Sequence, residues 1–208
     1  MNLLAIETSA RVATAALLRD GVCALELEAD AEKRHAESFP LLIERLLLEA
    51  DTPLEAIDLF AADVGPGSFT GVRIGVSLIN AMAFALQRKI VPVDALLALY
   101  TAANEPVRPV CAMLDARNGN AYAALYEAGR ALAAPAAVEI ESFLPSLPPG
   151  TRLVGDVRTD EVSLPRASAV GKAAYGMTAF AAPSVEPLYL RPPQAERMRM
   201  QRERETKP

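Results

Sequence analysis

Residues 3–27 read LLAIETSARVATAALLRDGVCALEL, and the order of elements in that stretch returns in residues 107–138. An apolar run at 3–6 ends in Glu7-Thr8-Ser9, and residues 12–18 form a second run. Asp20-Gly21 is a hairpin signal because both residues tolerate positive φ, and residues 22–27 alternate as a third strand. The three strands make an antiparallel meander. Further on, a strand at 107–114 closes on Asp115-Ala116-Arg117, the turn Asn118-Gly119-Asn120 leads into 121–126, and Ala128-Gly129 precedes a third apolar run ending at Val138. Element order and the acid after the first strand repeat while residue identities do not, which predicts an internal duplication.

The segments between and after these meanders are helical or mixed. Residues 35–50 place Phe39, Leu42, Ile43, Leu46 and Leu47 on one helical stripe, with Pro40 tolerable only in the first turn. A short buried strand at 59–63, a helix at 71–87, a strand at 90–93 and a helix from Asp94 to residue 103 complete the order βββαβαβα. The second copy is less regular, with a proline-rich loop at 144–149, a strand at 152–154 ending in Gly155-Asp156, and a small-residue helix at 167–180. The organisation expected is an α/β chain of two units, 1–103 and 104–193, followed by a charged tail at 194–208.

Composition excludes several classes of function. One histidine, His35, and two cysteines, Cys23 and Cys111, cannot build a histidine-rich metal centre or a disulfide framework, and both cysteines read as strand-interior hydrophobes. The 39 alanines against 17 Phe, Tyr and Met residues call for closely approaching helices. A net charge of −5 gives no overall attraction for nucleic acid. The amino-terminal MNLLAIETS lacks a basic start, and the uncharged stretch 74–87 is short and interrupted by Ser77, Asn80 and Gln87, so a cytoplasmic protein with no membrane association is expected.

Two patterns carry chemistry. GPGSFTGVRIG at 65–75 lies between a predicted strand and a predicted helix. It reads either as an anion site at a helix amino terminus or as a tight loop in which Gly71 and Gly75 bring the helix close to the sheet. It is neither a Walker A loop nor a dinucleotide fingerprint. Glu7, Asp63, Asp94, Asp115 and Asp156 stand at strand ends. They read either as carboxylates converging on a crevice to hold Mg²⁺ and a nucleotide, or as ordinary turn and cap formers.

The loop at 65–75, with LAIETS at 4–9, RHAE at 34–37, LDAR at 114–117 and PLYLRPP at 187–193, resembles the TsaB (YeaZ) family over almost the whole chain. The resemblance implies a duplicated ribonuclease-H-like fold of the actin/Hsp70 (ASKHA) type. It also implies a noncatalytic partner role in making threonylcarbamoyladenosine beside the tRNA anticodon. The partners implied are a TsaD-like catalytic subunit, which binds metal through paired histidines, and a TsaE-like ATPase. On this reading tRNA is met only through the complex, ATP and metal belong to the partner subunits, and no cofactor is expected on this chain. With His35 alone, no His-x-x-x-His pair exists here. Glu7-Thr8-Ser9 and Asp115-Ala116-Arg117 stand where active ATPases of the superfamily carry aspartate followed by glycine. A degenerate nucleotide or anion loop is thus expected from Glu7, Thr8, Ser9, Gly65, Gly67, Ser68, Thr70, Gly71 and Asp115. Asn118-Gly119-Asn120 departs from the more acidic stretch usual in the family.

On the first helix Leu41 and Leu48 fall opposite the core stripe, flanked by Glu44 and Arg45. On the second, Phe84 sits within the polar arc of Arg73, Ser77, Asn80 and Gln87. These faces are covered either by the other half of the chain or by another protein, and the resemblance favours a TsaD-like subunit, or a homodimer when that partner is absent. The alternatives from the enzyme class are a Mg-ATP-dependent phosphotransferase using Glu7, Asp63 and Asp115, and a glycoprotease-like peptidase.

Overall fold

In the computed structural model, which describes residues 1–29, 35–105, 107–159 and 162–191, the first meander is β1 (Asn2–Glu7), β2 (Thr14–Arg19) and β3 (Val22–Glu28). The tail at 194–208, Arg34 of RHAE and the final prolines of PLYLRPP lie outside the described residues. β1 pairs antiparallel with β2 and parallel with β4 (Leu59–Asp63). β5 (Lys89–Val93) completes a five-stranded sheet of order β3-β2-β1-β4-β5.

The second meander is β6 (Val110–Asp115), β7 (Asn120–Glu127) and β8 (Arg130–Glu139), and β9 (Arg152–Gly155) runs parallel to β6. Its order, β8-β7-β6-β9, repeats the first four positions of the larger sheet. The two hairpins even share their turn: Asp20 and Gly21 have φ of 50° and 81°, and Ala128 and Gly129 have 47° and 79°. Two consecutive positive φ values match the right-handed twist of the flanking strands.

The helices are α1 (His35–Glu49), α2 (Phe69–Leu86), α3 (Ala95–Ala103), the single turn α4 (Ile140–Phe143) and α5 (Ala167–Tyr175). α2 starts before Gly71 because the Ser68 hydroxyl caps it, accepting from Gly71 N at 3.2 Å. The helix expected over 167–180 ends at Tyr175, with Gly176 as its cap and a separate 3₁₀ turn at Thr178–Phe180. α2 is 18 residues long with a mean hydropathy of 1.5, enough by length and composition alone to cross a membrane, and longer than the uncharged stretch suggested. Here it is a layer of the fold, with Val72, Val76, Ile79 and Ala83 buried against the sheet.

The larger sheet is covered on both faces, so its inner strands read as continuous apolar runs rather than alternating ones. Leu4, Ile6, Leu17 and Phe60 meet the α1 stripe of Phe39, Leu42, Ile43, Leu46 and Leu47 together with α2. On the opposite face Leu3, Ala5, Leu18 and Ala61 meet Ala98 of α3 and Ala167, Val170 and Ala174 of α5. The alanine surplus serves this second face. α5 lies so close that a Cβ on Gly171 would come within 2.2 Å of Leu18. α3 also turns Ala95, Leu96 and Leu99 toward Val110, Ala112 and Tyr126 of the smaller sheet, joining the halves. Residues 182–191 return to the first half: Ala182 bridges to Ile90, Asn80 clamps the backbone of Val185 from both sides at 2.9 Å, and Leu188 N donates to Val64 O at 2.7 Å.

α2 rests on the end of β1. A Cβ on Gly71 would lie 2.0 Å from Thr8 O, a backbone atom that cannot move aside. Gly71→Ala gains about 1 kcal/mol of helix propensity and loses more to overpacking, for an expected net destabilisation of about 2 kcal/mol. A urea-unfolding midpoint equal to or above wild type would refute the close approach.

Candidate functional site

The strand-end acids separate into two pairs. Glu7 continues β1 one residue beyond the Ile6–Ala62 partnership, which sets it beside Asp63 at the end of β4. Glu7 Oε1 accepts from the backbone N–H groups of Ser9 at 2.5 Å and Ala10 at 2.8 Å, and Asp63 Oδ1 accepts from Gly65 N at 2.7 Å. Both side chains are fully buried. Burial, followed by the charge of Asp63, pushes the Glu7 carboxyl well above its ordinary range, and burial also raises Asp63. Glu7 Oε2 and Asp63 Oδ2 have no hydrogen-bond partner among the described residues, and burial disfavours holding both as charges. Thr8 Oγ1 and Ser9 Oγ are buried beside them, likewise without a partner at hydrogen-bonding geometry.

The corresponding residues of the second copy are open to solvent. Asp115 Oδ1 accepts from Arg117 N at 2.7 Å, repeating the turn that Glu7 makes with Ser9. Asp156 Oδ1 accepts from Asp115 N at 2.8 Å, and burial raises its carboxyl, with the charge of Asp115 adding to the shift. Asp94 caps α3 through Leu97 N at 2.8 Å and lies beside Tyr126 of the second sheet. The grouping of Glu7, Asp63 and Asp115 around one nucleotide is therefore not assembled: the first two are sealed in one sheet, and Asp115 is exposed on the other.

Between the pairs lies a cleft of 940 Å³. Of the expected anion loop, Ser9, Gly67, Ser68, Thr70 and Asp115 line it, whereas Glu7, Thr8, Gly65 and Gly71 do not. Gly71 and Gly75 serve packing: a Cβ on Gly75 would lie 2.2 Å from Thr8 Oγ1. Arg11, Arg117 and Arg191, none of them assigned to a site from the sequence although LDAR and PLYLRPP contain the last two, also line the cleft, and Arg191 donates to Ala116 O at 2.9 Å.

The outer faces of α1 and α2 form a second feature. Leu41, Leu48 and Phe84 are 63%, 80% and 84% exposed, so the other half of the chain does not cover them. Glu44, Arg45 and Ser77 are exposed nearby, with Arg45 paired to Glu49 at 2.6 Å. Beside Leu48 an apolar groove of 610 Å³ runs between Ile43, Leu47, Leu54, Leu78 and Met82. Two residues assigned to this face from the sequence have internal partners instead. Asn80 clamps Val185, and Arg73 lies 4.3 Å over the Phe69 ring and donates to the Tyr189 hydroxyl at 2.9 Å. Sequence separations above one hundred residues hid both partnerships.

Two sheets of matching order, joined by α3 and facing one cleft, define a duplicated ribonuclease-H-like protein of the actin type. Residues 29–185 match the family TsaD, tRNA N6-adenosine threonylcarbamoyltransferase. The TsaB protein of Haemophilus influenzae, a tRNA threonylcarbamoyladenosine biosynthesis protein, is 32% identical over 59% of this chain and 52% of its own. The chain spans about half the length of the curated relatives it matches. The matches to two solved structures from Pseudomonas aeruginosa each cover 91% of this chain and 99% of the other. One is a protein with similarity to peptidase YeaZ (TM-score 0.81, 28% identical), and the other is YeaZ itself (TM-score 0.77, 29% identical). The chain belongs to this threonylcarbamoyltransferase family, in its TsaB (YeaZ) branch.

The buried pair has a pH signature. Folded-state values raised above the unfolded carboxyl range of about 4 mean that folding takes up a proton. The pair's contribution is complete below that range and is lost as pH rises through the raised folded-state values, about 6 for Asp63. Glu7→Gln keeps the acceptor for Ser9 and Ala10 and offers Asp63 a permanent donor. It is expected to gain stability relative to wild type between about pH 5 and 8. Urea unfolding at both values checks this, and parallel pH dependences would refute the upward shift of the buried carboxyls.

Proposed function

We propose that this chain is a noncatalytic partner subunit in threonylcarbamoyl transfer to the adenosine beside the tRNA anticodon, docking a TsaD-like catalytic subunit on its α1–α2 face and working with a TsaE-like ATPase. The observation that carries the reading is the apolar face itself: Leu41, Leu48 and Phe84 stand out from a fold whose own cores are complete. Fully burying each such side chain contributes about 1.5–3 kcal/mol, and the adjoining groove offers a recess for a partner's apolar side chain. The family name of the relatives supplies the reaction. A noncatalytic role follows from the single histidine, which leaves a paired-histidine metal centre to the partner. The same face accounts for self-association when the partner is absent, and a cytoplasmic location suits a subunit acting on tRNA.

Leu41→Glu combined with Leu48→Glu is expected to abolish copurification with the TsaD-like subunit while the circular-dichroism spectrum and melting temperature stay at wild-type values. Loss of folding would show that the leucines are core. In reconstitution from purified components, omitting this chain is expected to stop transfer to tRNA, and undiminished transfer would refute the requirement.

A further inference from the structure

We propose that Glu44 and Asp51 select the protein that docks on the α1–α2 face: they admit a partner bringing lysine or arginine to the rim of the apolar groove and hold off a second copy of this chain. The inference rests on the docking reading above and adds to it the charge of the partner.

Leu41, Glu44, Leu48 and Asp51 follow one another at spacings of three, four and three, so apolar and acidic side chains alternate along one seam of α1 and the turn after it. All four are exposed. Ile43, Leu47, Leu54, Leu78 and Met82 line the groove beside them, and the charged residues that line it are Glu44 and Asp51. Neither carboxylate has an ion pair among the described residues. Arg45, next to Glu44 in sequence, is paired with Glu49 at 2.6 Å. Arg19 donates to Ala50 O at 2.7 Å and Thr52 Oγ1 at 3.0 Å, Arg88 donates to Ile57 O at 3.0 Å, and neither guanidinium lines the groove. The last turn of α1 contributes no basic residue.

In the free chain both carboxylates are hydrated, so what they meet on docking decides their effect. Two copies related by a two-fold axis through this face present the same patch to each other, and acid then approaches acid around the groove. Like charges brought together at an interface are destabilising, whereas a basic partner turns the same two groups into an attraction. Glu44 and Asp51 are seven positions apart, about 10 Å at the helical rise. The partner that fits therefore carries an apolar side chain for the groove between two basic ones at that separation.

The test follows two associations of the full chain, with itself and with the TsaD-like subunit, by analytical ultracentrifugation between about 0.05 and 0.5 M NaCl, a range over which exposed charges become screened. Rising salt is expected to weaken the heterologous complex and to strengthen self-association, giving slopes of opposite sign from one face. Glu44→Gln combined with Asp51→Asn is expected at the lowest salt to weaken the heterologous complex about fivefold, to strengthen self-association by a similar factor, and to flatten both slopes. Slopes of the same sign, slopes that survive neutralisation, or a neutralised chain that self-associates no better than wild type would overturn the proposal. If Leu41→Glu with Leu48→Glu leaves the heterologous complex intact, the docking reading falls and this one with it. If the leucines matter while Glu44→Gln with Asp51→Asn changes neither association, only the selection by charge falls.

Discussion

The contact of α2 with Thr8 at the end of β1 sets the geometry of everything around it. Gly71 and Gly75 have no side chains there, so the helix axis drops onto the strand end, and the cap at Ser68 is pinned by its N–H to Ser9 O at 2.8 Å. That one approach puts the start of α2 at the floor of the cleft and its far face, with Phe84, out in solvent. A helix held a few ångströms higher by ordinary side chains would open the first core and lift the loop from Ser9. The glycines of the loop are thus primarily a packing device, and the access of Ser68 and Thr70 to the cleft follows from that packing.

Duplication has given the two halves one scaffold and opposite electrostatics. In the first copy the strand-end acids are shut inside the sheet, where desolvation disfavours two charges side by side. In the second, the same turn geometry holds Asp115 and Asp156 in contact with water. Burial thus sets Glu7 and Asp63 apart from their solvent-facing counterparts in the second half.

Most of the architecture was legible because it is local. Alternation, the Asp20-Gly21 turn, the α1 stripe and the Asp94 cap each depend on residues within a few positions of one another, and each appears as expected. The outward face of Leu41, Leu48 and Phe84 was equally readable from helical periodicity. What periodicity does not encode is which distant segment a polar side chain meets. Arg73 and Asn80 read as part of a partner-facing arc because Tyr189 and Val185, more than a hundred residues later, are invisible to any local window. The cleft arginines escaped for the same reason: Arg11 and Arg117 sit in the first turn of each meander and Arg191 in the returning segment, and only the fold brings them to one cleft.

The position of α5 has a consequence for the order in which the protein is made. The face of the first sheet formed by Leu3, Ala5, Leu18 and Ala61 is closed by Ala167, Val170 and Ala174, which are translated long after the strands they cover. At about 5–20 residues per second, on the order of 3–13 s separate the emergence of Ala103 from that of Ala167. During that interval the first five strands have one apolar face without its α5 cover, so the nascent chain is a natural client for a chaperone until the second half has been synthesised.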